Sequence, residues 1–194
     1  MRDSVKRMEI MGVSTVVDAN GNSTSLPHTL PFLKLYHTWR IAQDRQAEAI
    51  VLADTAFDFE KTVLLRQSPV QFEGRGSADD SVSLVKYSEN ELSITAYSSS
   101  SSVLFVNDLY YPAWQASVDG KITNIIRAFS SLRAIPLPPG KHRVELEYRS
   151  TAFELGWKIT LATLISSICA LIFGSRKNRQ KVRRLATNQH PLNA

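Results

Sequence analysis

The C-terminal end of the chain constrains it most. A largely apolar run at residues 155–173 is followed, after Gly174, by Ser-Arg-Lys-Asn-Arg-Gln-Lys-Val-Arg-Arg at 175–184. As a helix rising about 1.5 Å per residue, the run would be roughly 28 Å long, close to the hydrocarbon thickness of a bilayer. Arg176, Lys177, Arg179, Lys181, Arg183 and Arg184 place six positive charges directly behind it. This is the pattern of a membrane-crossing helix with a basic stop, and it predicts a cytoplasmic C-terminus with the preceding domain on the other side. The competing reading is a buried helix of a soluble domain, because Lys158, Thr160, Thr163, Ser166 and Ser167 make the run only moderately apolar. Lys158 lies near one end, where its ammonium can snorkel to the headgroups. Ala162, Ser166 and Ala170 recur every four residues and let a second helix approach closely. Weak hydrophobicity with a packing face suits one span among several.

The net charge of +5 belongs to this tail. Without its six positive charges, and with no Lys, Arg, Asp or Glu after residue 184, residues 1–174 carry −1. No basic stripe remains to track a phosphate backbone, so nucleic acid is not an expected partner. The expected partners are the lipid bilayer, other transmembrane helices and an envelope glycan. The single cysteine, Cys169, lies in the apolar run and offers neither an intrachain disulfide nor a cysteine metal site. Charges at Arg2, Asp3, Lys6, Arg7 and Glu9 interrupt the N-terminus, which lacks the apolar core of a signal peptide. A domain on the outer face then needs an upstream span, which favours a piece of a longer multi-span protein. A tail-anchored protein with a cytoplasmic domain is the other possibility.

From Lys61 onward the chain reads as short strands. Residues 91–97 alternate through Leu92, Ile94 and Ala96; 113–118 through Trp114, Ala116 and Val118; and 143–148 through Val144, Leu146 and Tyr148. Residues 102–106 are continuously apolar, as in a strand covered on both faces. Asp119-Gly120 is a strong hairpin signal, Glu89-Asn90 a weaker one, and Pro138-Pro139-Gly140 leads into the last strand. The expected fold is mainly β, an antiparallel β-sandwich followed by a single C-terminal transmembrane helix. Residues 1–30 read as a poorly patterned linker and 31–152 as the extracytoplasmic sandwich, with a short helix near 46–54. Residues 153–174 are the expected transmembrane helix and 175–194 a basic cytoplasmic tail.

Catalytic chemistry is hard to find. His28, His37, His142 and His190 share no ligand spacing and read as isolated surface residues. Asp79-Asp80 reads as a solvated turn. No phosphate-binding glycine loop and no nucleophile elbow is present, and no cofactor or metal is expected. The unusual stretch is 107–121. Tyr110, Tyr111 and Trp114 could form a stacking platform for sugar rings. Alternatively, Trp114 packs between the sheets and the tyrosines shape a turn; its alternation with Ala116 and Val118 favours packing.

Residues 107–121, together with the strands and turns C-terminal to them, resemble the C-terminal region of the bacterial YfhO-like membrane protein family. The resemblance rests on Tyr110-Tyr111-Pro112-Ala113-Trp114, Val118-Asp119-Gly120-Lys121, Arg127-Ala128, Leu137-Pro138-Pro139-Gly140-Lys141-His142 and Tyr148-Arg149-Ser150. Leu30-Pro31, Ala56-Phe57-Asp58 and Lys61-Thr62-Val63 resemble the segment ahead of the sandwich, so it covers about residues 28–175. Ala113 stands where the family has Gly, and Phe32 where it tends to have Arg. The resemblance implies the extracytoplasmic domain and last span of a multi-span glycosyltransferase using lipid-linked sugars. The family's catalytic acidic residue lies in an early loop with no counterpart here, so the chain alone is expected to be non-catalytic. A stand-alone membrane-anchored structural or carbohydrate-binding module is the alternative.

Overall fold

A computed structural model describes residues 2–69 and 74–187, with side chains described for residues 4–69, 74–150 and 152–171. The chain divides into two compact units, Met1–Arg149 and Ser150–Ala194.

The first unit opens with α1 (Arg2–Ile10), β1 (Thr15–Val17), β2 (Ser23–Ser25), β3 (Leu33–Tyr36), β4 (Thr38–Ile41), α2 (Arg45–Ala53) and β5 (Thr62–Leu65). It continues with β6 (Ser81–Ser88), β7 (Glu91–Ser98), β8 (Ser102–Leu109), β9 (Trp114–Val118) and β10 (Lys121–Thr123). β11 (Ile126–Ala128), β12 (Leu132–Leu137) and β13 (Gly140–Tyr148) complete it. One sheet has the order β10-β9-β13-β7-β6 and the other β3-β8-β12-β11-β5-β4. All pairs are antiparallel except β4 with β5. That exception arises from α2, which carries the chain back so that β5 runs alongside β4. Asp44 starts α2 by accepting a hydrogen bond from the Ala47 N–H at 2.7 Å.

The unit has three layers. Leu92, Ile94, Val144 and Leu146 of the five-stranded sheet meet Leu104, Val106, Ile135 and Leu137 of the six-stranded sheet. On the outer face of the latter, Tyr36, Val103 and Phe105 meet Ile10, Leu52, Phe57 and Phe59. β8 therefore alternates between two cores, which is why its sequence is continuously apolar. The Asp119-Gly120 hairpin has φ of 51° and 76°, the left-handed pair that a tight two-residue β-turn demands.

Residues 1–30 are not a linker in this structure. Lys6 donates from Nζ to the carbonyls of Leu52, Asp54 and Phe57, at and beyond the C-terminal end of α2. Asn107 donates to the carbonyls of Ile10 and Leu30, both of whose side chains are buried. Gly12, at φ 81°, closes α1. These anchors are mostly polar and single, so they leave no hydrophobic periodicity to read.

Among the described residues, the second unit is one helix, α3 (Thr151–Thr187), 37 residues long. Within it Ala152–Leu171 is long and apolar enough to cross a membrane. The Thr160, Thr163 and Ser167 hydroxyls donate to carbonyls three or four residues earlier, at 2.8–3.1 Å. Three of the polar residues that weaken the apolar run are thus satisfied inside the helix. Arg176 to Arg184 lie on the same unbroken helical backbone, their side chains outside the described set.

Candidate functional site

The stretch 107–121 folds around a buried guanidinium. The pairing of β8 with β12 slips between Leu132, opposite Leu109, and Arg133, opposite Val106. The slip places Asn107 and Asp108 outside the regular ladder. Arg133, 1% exposed, donates from Nε to the Leu109 carbonyl at 2.8 Å and from Nη2 to the Asp108 carboxylate. Its guanidinium lies 4.1 Å from the centre of the Trp114 ring. Burial pulls its pKa below the ordinary value, opposed by the Asp108 charge. Arg133 Nη1 is buried with no hydrogen-bond partner among the described residues.

The three sequence-predicted aromatics do not form one platform. Tyr111 stacks on Tyr148 at 6.0 Å, and Trp114 meets the same ring edge-on at 5.6 Å. Tyr110 is held apart, its ring 4.5 Å from the Arg127 guanidinium. Trp114 is half-buried against the inter-sheet core, while Tyr111 is exposed. Tyr148, Arg133 and Asp108 complete the cluster, and sequence reasoning does not place them there. The available signal is Tyr148 closing an alternating strand, since Arg133 and Asp108 look like ordinary surface charges.

Two other motifs are brought together for structural reasons. The Asp119 carboxylate accepts from the Arg143 N–H at 2.8 Å and lies 2.7 Å from His142 Nδ1. His142 Nε2 lies 3.1 Å from the Pro138 carbonyl. The Asp-Gly-Lys and Pro-Pro-Gly-Lys-His turns are thereby latched to each other. The Arg143 N–H, and after it the His142 ring, holds the Asp119 carboxyl below the usual aspartate range. A lowered folded-state pKa stabilises the fold above the unfolded value, and that contribution is lost as pH falls through the folded value. Asp119→Asn is expected to flatten the acid side of the stability profile, checked by urea midpoints between pH 5 and pH 2. Parallel profiles for the variant and the wild type would remove the latch from the acid response.

His37 and His142 are not isolated surface residues, and Asp80 is not in a solvated turn. His37 lies with Nε2 2.9 Å from the Asp80 carboxylate and Nδ1 3.2 Å from Ser100 Oγ, with both the His37 and Asp80 side chains largely buried. Asp80 also accepts from the Ser77 and Ser99 N–H groups. The serine–imidazole–carboxylate order is that of a nucleophile triad, but Ser100 Oγ donates at 2.7 Å to the Arg75 carbonyl. A side chain at Gly74 would collide with Ser100, and one at Gly76 with His37. The hydroxyl is committed to the loop, and the cluster is a clasp. His28 lies 3.4 Å from Glu60, and His190 lies outside the described residues.

A cavity of about 400 Å³ is lined by Arg7, Arg45, Glu48, Leu52 and Ser130. Glu48 is buried there, 3.6 Å from Arg66. No group of three or more His, Cys, Asp or Glu side chains among the described residues could hold a metal ion.

The family model described as "Bacterial membrane protein YfhO" matches residues 50–160, more than half of the chain. The chain belongs to this family. The YfhO match begins in α2, runs through every strand from β5 to β13 and ends inside α3. The latched turns, the Tyr111–Tyr148–Trp114 cluster and the His37 partners Asp80 and Ser100 all lie within the YfhO-matched segment or contact it. No curated protein and no solved structure matches the chain.

Proposed function

We propose that this chain is the extracytoplasmic accessory domain and last membrane span of a YfhO-like multi-span protein, one that aids glycosyl transfer to a cell-envelope glycopolymer. The chain is not catalytic on its own. The observation that supports this reading is the family match, which runs past the boundary at Arg149 and Ser150 as far as residue 160 and so takes in the strands from β5 to β13 and the first part of the apolar helix. The glycosyl-transfer part rests on the family resemblance. The stripe Ala162, Ser166 and Ala170 supplies a face for further helices.

The experiment is thiol accessibility in intact cells with a membrane-impermeant maleimide. With Cys169→Ala as background, Lys121→Cys is expected to label in intact cells, and a cysteine appended after Ala194 only after permeabilisation. The reverse pattern would sink the assigned orientation. Sugar transfer from a lipid-linked donor by this chain alone would sink the accessory role. Saturable binding of an envelope glycan would instead favour a membrane-anchored carbohydrate-binding module.

A further inference from the structure

Strand directions sort the loops of the sandwich onto two ends. Tyr148 pairs with Trp114, and Trp114 covers Arg133 beside the Leu132–Leu109 pair. The last residue of β13, the 110–113 loop and the 129–131 turn therefore share one end. That end exposes Leu109, Tyr111, Tyr87 and Met11, with Arg127 and Arg149 as exposed cations. The other end is built from 99–101, Asp119-Gly120 and Pro138-Pro139, turns without an aromatic residue, and Tyr97 is the exposed ring on the strand leading into 99–101.

We infer that the aromatic end rests in the headgroup layer of the membrane that α3 crosses. The inference rests on the span assigned under the proposed function. From Tyr148 to Ala152, where the apolar stretch begins, is four residue steps, which reach about 14 Å at most. The headgroup region is roughly 5–8 Å deep on each side of the hydrocarbon. The end that holds Tyr148 is thus leashed to the interface whatever the angle at which α3 leaves it. Tyr and Trp concentrate at that depth because each joins an apolar ring to a polar tip. The geometry favours lipid over sugar. A sugar platform needs open, coplanar ring faces, whereas here Trp114 is covered by Arg133, Tyr110 lies against Arg127, and Tyr111 and Tyr148 cover each other. The exposed ring of Tyr111, beside Leu109, suits insertion among headgroups.

The test uses the full chain in vesicles of phosphatidylcholine and phosphatidylglycerol, with nitroxide lipids labelled at the headgroup or along the acyl chain. Three single-cysteine proteins carry the same small fluorophore: wild type at Cys169, and Cys169→Ala with either Tyr111→Cys or Lys121→Cys. The fluorophore at Cys169 is expected to be quenched by acyl-chain nitroxide, which reports the span. The one at position 111 is expected to be quenched severalfold more by headgroup nitroxide than the one at 121. Quenching at 169 with none at 111, or equal quenching at 111 and 121, overturns the inference and leaves the span standing. No quenching at 169 removes the span and the inference with it. Protection of position 111 by soluble envelope glycan, without lipid quenching, reassigns this end to sugar and also overturns it.

Discussion

Phe105→Ala is expected to destabilise the β unit by about 3–5 kcal/mol, the cost of an aromatic deletion that leaves a cavity. Phe105 is fully buried and meets two rings edge-on, Tyr36 and Phe129, each at 5.8 Å. Tyr36 cannot move into the space of the vanished ring, because its hydroxyl is fixed to the Phe59 carbonyl at 2.7 Å. Phe129 cannot shift readily either, being held at φ 43°. Phe105→Leu, which keeps most of the volume, should lose less than half as much. Ile122→Ala, on a side chain 87% exposed, should stay within about 0.5 kcal/mol of wild type. Urea unfolding of the detergent-solubilised full chain, monitored by near-ultraviolet circular dichroism, separates the three. Equal midpoints for Phe105→Ala and Ile122→Ala would mean the outer core contributes nothing.

The second large effect comes from the buried cation. Asp108→Ala is expected to cost about 3 kcal/mol, because it leaves the Arg133 charge in the interior with no anion beside it. The sign of a further change identifies the cause. Adding Arg133→Met to Asp108→Ala should recover much of the loss, since an apolar side chain of similar length needs no counter-charge. The same denaturation midpoints decide it. A double variant as unstable as the sum of both singles would mean that Arg133 matters for packing on Trp114 rather than for its charge.

The β-rich architecture is legible in the sequence because it is written in alternation. Leu92, Ile94 and Ala96, then Val144 and Leu146, repeat every second residue and are all buried on one face. Asp119-Gly120 is legible because two consecutive left-handed residues tolerate few sequences. The N-terminal packing is hidden because Lys6 and Asn107 act as lone polar anchors to carbonyls 46 and 97 residues away, and neither belongs to a local pattern. The His37–Asp80–Ser100 clasp is hidden for the same reason, since Ser100 and His37 are 63 positions apart. In the aromatic stretch the rings are visible but their arrangement is not. Arg133, which covers Trp114, lies on a different sheet and reads from the sequence like any surface arginine.

The shared strand β8 has a consequence for how the domain comes apart. Val103 and Phe105 belong to one core and Leu104 and Val106 to the other, within four consecutive residues. Neither the helical layer nor the second sheet can detach without baring one side of that strand to water. The three layers should therefore melt together in a single transition, with no half-dissolved state that keeps one core and loses the other. For a domain leashed to a membrane, that cooperativity limits the exposure of sticky sheet faces beside the lipid.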